Sequence, residues 1–121
     1  MSAETDIYSA LSGSTAVTNI AGSRIYADVR DEGDGVPAIV YERTGTLPYV
    51  SLHTGETFAE TATMEVLCIA KDRETAEDLR DKVMAAAIAA ADFIYQDRGG
   101  SYDPDADLFI SILTLNHNWS A

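Results

Sequence analysis

Cysteine is all but missing from this sequence. Cys68 is the single copy, so no disulfide can form within the chain and no cysteine cluster can hold a metal. Histidine is nearly as scarce, and His53 and His117 are too far apart in sequence to form a ligand pair by spacing. They read as solvated or interface histidines. Positive charge is the third shortage: 8 Lys and Arg face 20 Asp and Glu across 121 residues, a formal net charge of −12. Binding phosphates or anionic lipid takes concentrated cations, which excludes bulk nucleic acid and membrane surfaces as principal partners. No apolar run approaches the roughly 20 residues that a membrane-spanning helix needs. The opening Met1-Ser2-Ala3-Glu4 lacks the basic-then-apolar order of a leader, so the expectation is an intracellular chain with no readable targeting signal.

Signatures of catalysis are lacking as well. There is no Gly-x-Ser-x-Gly, and Gly13, Gly22, Gly33 and Gly35 do not lead into the Lys-Ser/Thr ending of a phosphate loop. Asp103-Pro104-Asp105-Ala106-Asp107 has the look of a calcium loop, but Leu108 and Thr114 stand where such loops carry Gly and Glu. It reads as an acidic solvated turn. Cys68 sits in an apolar strand with Lys71 as its nearest cation, the setting of an inert buried thiol. Paired carboxylates are frequent only because acids are, so no pair singles out a site. The expectation is a non-enzyme with no catalytic residue, cofactor-binding residue or metal ligand.

What the chain does have is a hydrophobic content of 46%, enough for one core despite the charge. A single domain over residues 1–121 follows. Glu4 to Asn19 reads as a helix with a break: Ile7, Tyr8 and Leu11 share a side, Thr5 or Asp6 serves as a cap, and Gly13-Ser14 interrupts before a helical turn holding Ala16, Val17 and Ile20. Arg24–Val29 is a short strand, Asp31–Gly35 an acidic turn, and Val36–Arg43 a strand with Pro37 near its start. Thr44–Glu56, with Gly45, Pro48 and Gly55, has no sustained period and reads as a long excursion.

Thr57–Lys71 is the longest strand, polar in its first half and apolar on both sides in its second. It therefore starts at an edge, or projects as a hairpin arm, before entering a covered sheet. Asp72 caps a helix whose buried stripe is Ala76, Leu79, Val83, Ala86 or Ala87, and Ala90, with Asp78 and Lys82 paired on the open side. Asp92–Arg98 is a short strand and Gly99–Ala106 a turn. In the final strand, Asp107–Trp119, Leu108, Ile110 and Ile112 lie on one face and Phe109, Leu113 and Leu115 on the other, so it reads as a central strand or as one with its second face against a neighbour. The fold class is α+β: a mixed, mainly antiparallel sheet of about four to five strands packed by one long and one short helix.

With no site to be found, the pattern points to a surface. The excursion carries Leu47, Tyr49, Val50 and Leu52, and the last strand adds Phe109, Leu113 and Leu115. These seven are the candidate protein–protein contacts, because such apolar groups are a liability on a lone subunit and an arm in an assembly.

Ile7-Tyr8-Ser9-Ala10-Leu11 with the Ala16-Val17 turn, then Gly22-Ser23-Arg24-Ile25-Tyr26, then Pro37-Ala38-Ile39-Val40-Tyr41, and finally Met64-Glu65-Val66-Leu67-Cys68-Ile69-Ala70 leading into Glu74-Thr75-Ala76-Glu77-Asp78-Leu79 follow one order. From Ile7 to Leu115 that order resembles the small phage tail-completion family, related to siphophage tail terminators and similar neck proteins. Asp31–Gly35 and Asp103–Asp107 depart from the family pattern. The resemblance implies a homo-oligomeric ring, commonly a hexamer, that caps the tail tube and joins it to the head–tail connector protein. It also implies the tail tube protein as a partner, DNA passing through the hole without specific binding, no cofactor and no membrane. Assembly would take place in the host cytoplasm, ending in the virion. Two other classes compete with this reading. One is a small-molecule-binding or enzymatic domain using the sheet face as a pocket, lined by Tyr26, Tyr41, Tyr95 and Cys68. The other is a regulatory partner mimicking DNA by its charge, which the scattered order of the acids disfavours.

Overall fold

The computed structural model describes the backbone of residues 3–28, 35–50, 57–91 and 93–120, and the side chains of 4–28, 35–45, 62–89, 93 and 99–116. Ser14 sets the break between the first two helices. Helix α1 (Ala3–Ser12) ends where the Gly13 N–H donates to the Ser9 carbonyl at 3.0 Å. Ser14 is extended, and its hydroxyl accepts the Val17 N–H at 3.4 Å, which starts α2 (Thr15–Ala21). Gly22 stops α2 with φ at +61°, a conformation glycine adopts without a side-chain clash. The expected helical turn is thus a helix of its own. Thr5 and Asp6, expected as caps, lie inside α1, where Glu4 and Asp6 instead favour the positive end of the helix dipole.

Strand β1 (Ile25–Ala27) pairs in parallel with β2 (Ala38–Val50), and β2 continues antiparallel to β3 (Thr57–Ala70). Here the excursion reading is corrected, because Thr44 to Val50 is strand rather than loop. Two physical features permit it. A register shift between Arg43 and Gly45 absorbs the glycine as a bulge. Beyond the Ala27–Tyr41 pair β1 has ended, so among the described residues β2 becomes an edge and Pro48, paired toward Glu60 of β3, leaves no ladder partner waiting for an N–H. Leu52 and His53 lie outside the described residues, as does all of the expected acidic turn except Gly35.

Asp72 opens α3 (Arg73–Ala91) as expected: its carboxylate accepts the Thr75 N–H at 2.7 Å and the Thr75 hydroxyl at 3.0 Å. Strand β4 (Ile94–Asp103) takes in Gly99 to Asp103 of the expected turn, which is confined to Pro104–Asp107, and β5 (Leu108–Ser120) follows this tight hairpin. In that hairpin the Asp103 carboxylate accepts the N–H groups of Asp105 and Ala106, and Asp107 takes φ +53°. Among the described residues the sheet has five strands in the order β1-β2-β3-β5-β4, all antiparallel neighbours except the first pair. The final strand is interior, flanked by β3 and β4, as its two apolar faces require.

Alternation along each strand sends one set of side chains beneath the helices. Ile7 and Leu11 of α1, Val17 and Ala21 of α2, and Leu79, Val83 and Ala87 of α3 meet Ile39, Met64, Val66 and Cys68 in one cluster. Leu113 and Leu115 belong to the same cluster and are 0% exposed. As candidate contact residues they are corrected: β5 enters the sheet with its odd-numbered residues under the helices, so these two hold the subunit together.

Candidate interaction surfaces

The other face of the sheet carries its own apolar rows. Tyr26 pairs in register with Val40, Val40 with Leu67 and Leu67 with Ile112, giving one row across four strands. The next row joins Ala38, Ile69 and Ile110. Val40 and Ile69 are buried, whereas Tyr26, Leu67, Ile110 and Ile112 are half-buried. All the described helices spend their apolar sides in the core on the opposite face, so among the described residues no helix lies over these rows. Sequence reasoning placed Leu108, Ile110 and Ile112 on one face but did not assemble the row, since the partners come from four separate segments.

Beyond Arg43 the sheet extends as an arm. Leu47 pairs with Thr61, Tyr49 with Ala59 and Val50 with Thr57, while Ala59 to Thr63 also pair with Ser120 to Asn116. The expected hairpin arm is therefore backed by a third strand. At its base the Arg43 guanidinium grips the Glu4 carboxylate of α1, with Nε to Oε1 at 2.6 Å and Nη2 to Oε2 at 2.8 Å.

A third surface lies between α3 and β4. Phe109 stands there, half-buried, with the Arg73 guanidinium 5.5 Å from its ring centre and the Tyr102 ring 4.8 Å away. The Tyr102 hydroxyl donates to Asp107 at 2.7 Å, which holds its proton and raises its pKa. Arg80, Gly100 and Ser111 complete a cleft of about 390 Å³. Arg73 and Arg80 were missed in the sequence, although a spacing of seven residues sets two side chains on the same flank of a helix. Gly99-Gly100 read as a turn in the sequence, and only their place inside β4 marks them as a spot where something can approach the backbone.

The residues of the competing pocket reading do not converge. Tyr41 and Cys68 are buried in the core, Tyr26 is on the opposite face of the sheet, and the side chain of Tyr95 lies outside the described set. Burial raises the Tyr41 hydroxyl pKa, helped by Tyr8, Asp28 and Glu4, and desolvation pushes the Cys68 thiol up to about 12. A thiol so held is not a nucleophile at neutral pH. Among the described residues no group of three or more His, Cys, Asp or Glu is placed to hold a metal ion, and no helix is long and apolar enough to cross a membrane.

A comparison with curated proteins finds no match. Among solved structures, a chain described under "Virion of native gene transfer agent (GTA) particle" superposes with a TM-score of 0.70 at 12% identity, over 98% of this chain and 95% of that one. At that identity the likeness shows a common fold. A family profile described as "Tail completion protein gp17" matches residues 5–117. That span takes in nearly every element from α1 to β5, and the chain accordingly belongs to the tail completion protein gp17 family, whose members are structural proteins of phage tails.

Proposed function

We infer that this protein is the subunit of a homo-oligomeric ring, with a hexamer as the expected number, that caps the tail tube and meets the head–tail connector. The observation that carries this reading is the apolar row Tyr26, Val40, Leu67 and Ile112 on the helix-free face. A half-buried row that crosses four strands is a surface that another protein can finish burying. The arm supplies a second contact through the backbone positions of Leu47, Tyr49 and Val50, and Phe109 a third, while Leu52 completes the arm in the sequence reading. The mechanism is geometric and the role structural rather than catalytic: one face of the ring matches the last tube ring, and the other offers no seat for a further tube subunit. The surplus acids fit a passage for DNA, since a −12 subunit repels a duplex rather than gripping it. Assembly takes place in the host cytoplasm and the finished ring stays in the virion.

Light scattering over a concentration series, with electron microscopy of the protein alone and with tail tubes, tests the reading. Rings with a hole wide enough for a duplex, free or on tube ends, are the expected result. Tubes that terminate normally in the absence of the protein would overturn the capping role. Tight duplex binding in a gel assay at low salt would overturn the repelling passage.

A further inference from the structure

The cleft between α3 and β4 concentrates cations in a chain that has few. Arg73 and Arg80 line it together, with Glu77 in the lining and Asp81 at the edge of the Arg80 guanidinium, in a protein of net charge −12. The other described cations with assigned partners are occupied locally: Arg24 donates to the Pro37 carbonyl at 2.7 Å, Arg43 pairs with Glu4, and Lys82 faces Asp78 at 3.9 Å. Arg80 is held less closely than Arg43. Its side chain is only 13% exposed, its Nε is buried without a hydrogen-bond partner, and Nη2 reaches Asp81 at a long 3.5 Å. A guanidinium has five N–H donors in a planar fork, so one held this way has capacity left for a carboxylate.

The floor of the cleft is open for a reason that sequence chemistry explains. Gly100 pairs with Ser111, which pairs with Cys68, and this row lies on the helix side of the sheet. At Gly100 a side chain would take the place of the empty floor, because a Cβ built there meets nothing closer than the Ile110 carbonyl oxygen at 3.6 Å, an ordinary contact. Glycine is thus not demanded by packing or by backbone conformation at this position. What it provides is access to the guanidinium and to the strand backbone.

We propose that this cleft is an inter-subunit carboxylate receptor: it takes an acidic side chain of a second copy of this chain, seated on the Arg80 guanidinium with Arg73 beside it. The inference rests on the ring reading and deepens it by naming one contact. The occupant is argued from charge. With 20 acids against 8 bases, copies of this protein repel one another at long range and need local pairs of opposite sign to associate. The nearest plentiful source of carboxylates at a contact between copies is the chain itself.

Three variants of the full chain test this by sedimentation velocity across a concentration series, with melting temperature as the check on folding. Arg80→Met keeps the aliphatic stem and removes the charge. Gly100→Val fills the floor and leaves the charge. Lys82→Met makes the same charge change as Arg80→Met at an exposed position outside the cleft. Arg80→Met and Gly100→Val are expected to weaken association by about thirtyfold or more with melting unchanged, while Lys82→Met leaves it as in the wild type, since truncating one partner of a buried charge pair has that order of effect. Association unchanged in both cleft variants overturns the receptor and leaves the ring reading standing. Loss in Arg80→Met alone overturns the seat, because an occupied cleft must also feel the valine. Where the wild type is monomeric alone, the same comparison is made by electron microscopy on tube ends, and rings formed equally well by both cleft variants overturn the receptor. Retention of duplex DNA that disappears in Arg80→Met assigns the cleft to phosphate and overturns it too.

Discussion

Arg43 of β2 and Glu4 of α1 are joined at both ends of their forks, at 2.6 and 2.8 Å, where the arm leaves the body of the subunit. The pair fixes the first helix against the strand one residue before the register shift at Arg43/Gly45. It is a clamp at the root of a lever rather than a prop for the core, since both side chains keep a good part of their surface in water, at 28% and 39% exposure.

Its worth is correspondingly modest. A double-mutant cycle with Arg43→Met and Glu4→Gln, read by denaturant unfolding, is expected to give a coupling of about 1 kcal/mol, at the upper end for exposed pairs because the charges lie close and share a hydrogen bond. A coupling indistinguishable from zero would mean that the arm is oriented by the β2–β3 ladder alone.

Adjacent residues of β5 separate stability from assembly. Leu113→Ala removes a 0%-exposed core side chain and is expected to cost about 2–5 kcal/mol of unfolding free energy. Ile112→Thr, on the helix-free face and half-buried, should cost less than half of that while reducing association of the subunit. Equal losses of stability at the two positions would show that the second face is sealed within the subunit and would remove it from the contact argument.

The thiol gives a pH prediction with a definite sign. Burial holds the Cys68 pKa at about 12 in the folded chain against 9.0 ordinarily, so the folded state keeps its proton where the unfolded state loses it. That contribution is intact below pH 9.0 and declines as the pH rises from there toward about 12. A Cys68→Ala variant, whatever its stability at neutral pH, should therefore lose less stability than the wild type between those limits. Alkylation of the native protein at pH 8 should proceed only at the rate of opening, because the sulfur is 0% exposed. Rapid labelling of the folded chain would contradict the burial.

Much of this architecture is legible in single residues. Asp72 starts α3 through a side-chain oxygen that accepts the N–H three residues on, a contact that sequence spacing decides, and Ser14 does the same for α2. The 3.6-residue stripe of Leu79, Val83 and Ala87 and the alternation of Met64, Val66 and Cys68 likewise name their own buried sides. Thr44 to Val50 was misread because glycine and proline speak against a strand locally. What makes them tolerable is that, among the described residues, the β1 pairing ends at Tyr41, before Gly45 and Pro48 are reached, and β1 belongs to another part of the chain.

Neighbours along the chain and composition were enough to read the Asp72 start of α3, the supply of apolar residues for a core and the shortage of cations. Only the tertiary structure decided which phase of β5 lies beneath α3, that Tyr26, Val40, Leu67 and Ile112 form one row, and that Arg80 overlooks Gly100. The physical reason is symmetry. A strand apolar on both sides has two equivalent orientations, and a charged helix flank has no assigned floor, until pairing between distant segments breaks the tie.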